Sequence, residues 1–159
     1  MAELEADVVH LYLSAGHNYF GRHGKAPGEF PAIEVDEITC VAGCGIQGDR
    51  FFNFKKGYPG QVTFFEMEVY EFLLGKFPGV TKQPEVFRRN ILTRGIDLRT
   101  LIGSEFSIQG VRFRGVQESK PCYWMNQAFA PGAEEALRGK GGLRAEVLTD
   151  GLVRRTSRL

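Results

Sequence analysis

Few side chains in this sequence are placed to do chemistry, and Cys122 leads them. It stands in Lys120-Pro121-Cys122-Tyr123-Trp124-Met125, between a strand pattern and the start of a short helical one. A thiol near a helix N-terminus feels the positive end of the dipole, and Lys120 adds a formal cation; both favour thiolate. A thiolate can attack an electrophile, carry a sulfane sulfur as a persulfide, or ligate a soft metal such as molybdenum. The competing reading is structural, because free cysteine most often serves as a small buried apolar residue.

Phe87-Arg88-Arg89-Asn90 supplies two guanidinium groups and an amide. Read as one strand, residues 87–93 put Arg88 and Asn90 on one face and Arg89 on the other. The Arg88/Asn90 face suits a phosphate or pterin, since arginine recognises planar and bidentate anions. Pairing of these arginines with Asp49 or Glu118 is the alternative. Gly48-Asp49-Arg50 follows a glycine-rich stretch without a P-loop or dinucleotide fingerprint. An Asp beside an Arg in a tight turn is commonly a hydrogen-bond brace.

The loop 15–31 is broken by Gly and Pro and carries His17, Arg22 and His23, which suit an anionic or N-hydroxylated ligand at a pocket rim. The two histidines are not spaced as a same-face helical metal pair. Cys40 and Cys44 lack the further ligands of a zinc site and read as structural cysteines at a strand end. Phe51, Phe52, Phe54 and Tyr58 beside Lys55 and Lys56 could stack bases, but the charge balance favours core and rim roles. No Gly-x-Ser-x-Gly elbow supports serine hydrolase chemistry.

These residues need elements to position them. Strand patterns run over 8–14, 32–41, 61–65, 87–93, 104–108, 111–118 and 143–148. Residues 66–75 read as a helix with Gly75 as its stop. Asp97 caps a turn over 98–102, and Gln109-Gly110 signals a hairpin. Helical pieces at 123–130 and 133–138 are split by Pro131-Gly132. Seven strands without βαβ alternation predict a mainly β fold with peripheral helices, an antiparallel barrel or sandwich. The basic tail 154–158 is expected to fray.

Composition bounds the function. The chain has 159 residues, 43% apolar and 25% charged, enough for one domain with its own core. A formal net charge of +1 gives no electrostatic case for nucleic acid or membrane binding. Three cysteines without framework spacing, no signal peptide and no long apolar run point to a reduced, cytoplasmic protein.

Several pieces together resemble the MOSC domain, the C-terminal module of molybdenum-cofactor sulfurases. They are Gly48-Asp49-Arg50, Gly60-Gln61-Val62, Phe87-Arg88-Arg89-Asn90-Ile91, Arg94-Gly95-Ile96-Asp97-Leu98, Gly103, Pro121-Cys122, Pro131-Gly132 and residues 139–145, in that order. The resemblance spans 8–153 as one domain, with 1–7 and 154–159 as extensions. It implies a β-barrel-like fold with peripheral helices. It also implies that Cys122 is the sulfur-carrying or molybdenum-ligating residue. Arg88, Asn90, Asp49, Arg50 and Lys120 are the expected cofactor-binding residues, and molybdopterin is the cofactor. The chain has no pyridoxal phosphate domain and lacks the separate N-terminal barrel of the amidoxime-reducing members. Three roles are open: the molybdenum component of a reductase for N-hydroxylated compounds, served by an electron-transfer or sulfur-donor protein; a non-catalytic carrier of cofactor or sulfur; or a non-catalytic barrel that kept the fold and lost the site.

Overall fold

The computed structural model describes residues 2–17, 26 and 28–156. Its eleven strands are β1 (Ala2–Glu3), β2 (Asp7–Leu13), β3 (Ile33–Glu34), β4 (Glu37–Val41), β5 (Gly45–Ile46), β6 (Val62–Glu66), β7 (Ile91–Arg94), β8 (Glu105–Ile108), β9 (Val111–Glu118), β10 (Leu143–Val147) and β11 (Gly151–Arg154). Three helices join them: α1 (Met67–Lys76), α2 (Trp124–Ala128) and α3 (Ala133–Ala136). Single 3-10 turns cover Pro84–Phe87 and Leu98–Leu101. Eight strands form one sheet in the order β1-β8-β9-β10-β6-β7-β2-β3, and β11-β4-β5 form a second. The fold is mainly β with peripheral helices, as expected; the described strands make two sheets rather than a closed barrel.

The central strands β6 and β7 are buried on both faces, so Val62 to Phe65 are all buried rather than alternately so, whereas β9 alternates buried and exposed. Alternate residues of the central strands feed two different cores. Val62, Phe64, Ile91 and Leu11 join Ile38, Cys40, Ile46 and Val153, so one face packs on the small sheet. Phe65, Leu92 and Tyr12 join Leu73, Phe87, Met125, Phe129 and Leu137, so the other face packs under the helices.

Two expectations are corrected here. First, β6, α1 and β7 form one βαβ unit, with β6 and β7 parallel through Phe64–Ile91 and Phe65–Leu92 pairings. The helix is needed to cover the face on which Phe65 lies. It also runs past Gly75 to Lys76.

Second, residues 87–93 are not one strand. Pro84 starts a 3-10 turn, Phe87 stacks on Phe65 and Phe129 at 4.8 and 5.3 Å, and Arg88 takes a left-handed φ of 58°. The strand begins only at Ile91. Alternation therefore does not relate Arg88 to Asn90.

The Gln109-Gly110 hairpin forms as read, with φ of 53° and 81° at its two turn residues. The tail is tied rather than frayed through Thr156. Its backbone N–H donates to Val8 O at 2.8 Å, and Arg154 meets Glu37 at 2.6 Å. The acidic segment 34–37, from the end of β3 to the start of β4, holds the basic end. Among the described residues no helix is long and apolar enough to cross a membrane.

Candidate functional site

Where the helical layer meets the sheet, a cavity of about 260 Å³ opens beside Cys122. Its walls include His17, Arg50, Phe51, Arg88, Arg89, Trp124 and Met125. Cys122 is exposed and lies two residues before α2. Its carbonyl accepts the Met125 N–H at 3.0 Å, and Trp124 and Met125 are buried, so packing of α2 fixes the thiol's position. The helix has five residues, so its dipole is small.

Arg89 forms part of the cavity wall. Its guanidinium donates to Gly141 O (3.0 Å), Phe87 O (3.0 Å) and Ser119 O (3.1 Å). Burial pushes its pKa down to about 10, with Arg50 and Arg144 acting the same way and Cys122 and Glu118 opposing, so it stays charged at neutral pH. Glycine makes this seat: a Cβ on Gly142, whose φ is +107°, would lie 2.2 Å from Phe64 O. Reading Arg89 onto the far face of a strand missed it. The signal available was Pro84, which suits the first position of a short helical turn and so delays the strand beyond Phe87.

Arg50 donates to Asp49 Oδ1 and to Arg88 O, both at 3.3 Å, and its guanidinium carbon lies 4.6 Å from the Phe51 ring centroid. Desolvation lowers its pKa, and Asp49 counteracts this. Arg88 faces the stem of the 15–31 loop. It donates to Phe30 O (2.7 Å), Gly16 O (2.8 Å) and Ser14 Oγ, tying both ends of that loop together.

Other expected cofactor residues sit elsewhere. Asn90 is buried behind the cavity, giving its amide N–H groups to Tyr12 O and Asp49 Oδ1 and accepting from Thr63 N and Oγ1. Asp49 is buried too and accepts from Ser14 N and Phe51 N. It is the local brace that its sequence context allows. Lys120 is exposed and lines neighbouring clefts with Glu118 and Arg144 rather than the Cys122 cavity.

His17 lines the cavity with its ring edge-on to Phe51 and Phe54, centroids at 5.1 and 5.7 Å. Desolvation lowers its pKa most, then Arg50 and Arg88, with Asp49 opposing. Arg22 and His23 lie outside the described residues. Cys40 is buried in the sheet-side core, and burial pushes its thiol up to about 12; Cys44 is half-buried. Among the described residues no group of three His, Cys, Asp or Glu is placed to hold a metal ion.

The arrangement is a soft, exposed donor in a cationic recess. No carboxylate lines the cavity among the described residues. The MOSC domain profile matches residues 54–157, which include Cys122 and the arginine pair. The chain belongs to the MOSC family. No curated protein sequence matches this MOSC chain. Solved structures do, at the level of fold. The YuaD protein of Bacillus subtilis superposes with a TM-score of 0.66 at 20% identity, over 94% of this chain and 91% of that one. YiiM of Escherichia coli gives 0.61 at 22%, over 94% and 71%. A hypothetical protein gives 0.65 at 21%; this MOSC chain spans 64% of its length.

Proposed function

We propose that this MOSC chain binds the molybdenum cofactor at the Cys122 cavity and serves as the molybdenum component of a reductase for N-hydroxylated compounds. The observation that carries the reading is an exposed thiol in a recess walled by arginines and, among the described residues, free of lining carboxylates. The donor set fits the group: thiolate is a soft ligand suited to molybdenum, and guanidinium groups suit an anionic pterin phosphate. The cavity, at about 260 Å³, lies just under the range of roughly 300–1,000 Å³ for whole-ligand sites, so it fits the metal-bearing end.

Cys122 would hold the metal through Sγ, and Arg50 and Arg89 would offset the anionic charge. When bound, the cofactor supplies two-electron redox chemistry. Phe51 and Trp124 give the recess apolar walls, which strengthen the field of the guanidinium groups on a bound anion. The electrons would come from a donor outside these residues, which carry no flavin, haem or iron–sulfur motif. Exposure of Cys122 also supports a second reading, in which the thiol carries sulfur or cofactor to another enzyme.

Expression in a host that makes the cofactor, followed by metal analysis, tests the proposal. Wild type should hold about one molybdenum per chain and Cys122→Ser much less. Equal content in both would overturn it. Little metal but a persulfide on Cys122, seen by mass spectrometry, would select the carrier reading.

A further inference from the structure

The cavity holds a second group that neither the cofactor residues nor the sulfur chemistry uses. His17 is on its wall, and several devices set it there. Arg88 binds Gly16 O, the carbonyl joined to the His17 nitrogen, at 2.8 Å. Ser14 N donates to Asp49 Oδ1 at 3.1 Å, fixing the chain three residues earlier. At Gly16 a Cβ would lie 2.6 Å from the Phe30 ring, so only glycine lets Phe30 close on the stem. Phe51 and Phe54 then pack edge-on to the imidazole. A histidine in a solvated loop needs none of this.

Charge gives the position meaning. The charged groups acting on His17 are Arg50 and Arg88, with Asp49 opposing. Arg89 shares the wall, and its three contacts are to carbonyl oxygens, which leave its formal charge in place. A guanidinium has five N–H donors, so Arg89 has donors beyond those three. The fixed charge in this recess is thus positive, and an anion entering it meets donors on several sides.

We propose that His17 is a ligand-contact residue of the Cys122 cavity, a titratable cation that joins Arg50 and Arg89 in capturing a tetrahedral oxyanion and makes that capture pH-dependent. The inference deepens the cofactor reading by assigning a residue to the anionic oxygens of whatever part of the ligand enters this cavity, and it rests on that reading for the identity of the physiological ligand. Linkage fixes the sign. An anion that binds better beside imidazolium raises the imidazole's pKa, and its own affinity falls as pH rises through that range. The unliganded His17 pKa lies below the ordinary 6.5, so the falling limb starts below that value. Each unit of rise on binding corresponds to about a tenfold change in affinity across the limb.

The experiment uses the full-length, metal-free protein with molybdate as probe and inorganic phosphate as a second oxyanion. Histidine ring resonances are titrated by NMR from acid to neutral pH, with and without molybdate, and affinity is measured by calorimetry across the same range. His17 is expected to titrate at higher pH with the probe bound, and affinity to drop about tenfold or more over the limb. In His17→Gln the affinity above the limb should persist and the pH dependence should vanish. A His17 resonance that ignores the probe, or an unchanged pH dependence in His17→Gln, would overturn the inference while leaving molybdenum content, and so the cofactor reading, untouched. Loss of molybdenum content in the wild type with pH-dependent oxyanion capture intact would instead remove only the cofactor reading.

Discussion

The Asn90 side-chain amide donates to Asp49 Oδ1 across 3.2 Å, joining the residue just before β7 to the loop that carries Arg50. Both residues are buried, and the same amide group also binds Tyr12 O at 3.1 Å while its oxygen takes two donors from Thr63. Replacing Asn90 by Ala strands several of these partners at once. We expect a loss of about 2–4 kcal/mol, read as a lower urea midpoint with unchanged slope. A loss under about 0.5 kcal/mol would show that the network is dispensable.

The glycine seat of Arg89 gives a sharper test. Gly142→Ala brings a methyl within 2.2 Å of Phe64 O, at a φ that disfavours any side chain. The cost should exceed about 3 kcal/mol, with a fall in Tm of roughly 6 °C or more. Gly139→Ala is the control. It also has positive φ but meets nothing within 4 Å, so its cost should be smaller.

Arg88 makes a separable prediction. Arg88→Lys keeps one positive charge but cannot reach Phe30 O and Gly16 O with a fork of donors. Amide exchange at 14–17 and 28–30 should accelerate, while exchange across β8 and β9 stays as in wild type. Uniform acceleration of both would mean a global loss of stability instead.

Thiol chemistry should separate the cysteines. Cys122 is exposed and Cys40 fully buried, so timed alkylation of metal-free protein should modify Cys122 well before Cys40. Faster labelling of Cys40 would mean that the β4 core opens readily. Cys40 also sets a limit on alkaline stability. Its thiol pKa rises from 9.0 unfolded to about 12 folded, so the unfolded chain loses its proton first. Folding stability therefore falls between those values, by up to about 1.4 kcal/mol per pH unit, and is unaffected by this group below pH 9. Cys40→Ala should flatten that slope in denaturant titrations.

Much of this was legible from residue patterns, and the failures have a common cause. The hairpin at Gln109-Gly110 and the Asp97-capped turn are local, so short-range chemistry predicts them. Cys122 stood out by its neighbours in sequence, although Lys120, the neighbour invoked, faces other clefts. What the chain could not announce was non-local. Arg88 and Arg89 read alike, yet one closes a loop across 72 residues and the other closes on carbonyls 30 and 52 residues away. β11 went unrecognised because its four residues pair with β4, on the far side of the sequence.

That last pairing governs when the protein can finish folding during its synthesis. β4 has β5 on one side but waits for Gly151–Arg154 on the other. Until then Ile38 and Cys40 lie open at a strand edge, and the sheet-side core lacks its cover. The βαβ unit, by contrast, needs nothing beyond residue 94 to bring its own strands together. A ribosome adding about 5–20 residues per second leaves the edge unprotected for some seconds after that unit can form. An edge left open that long is a template for pairing with other chains, so synthesis speed bears on how much of this chain escapes aggregation.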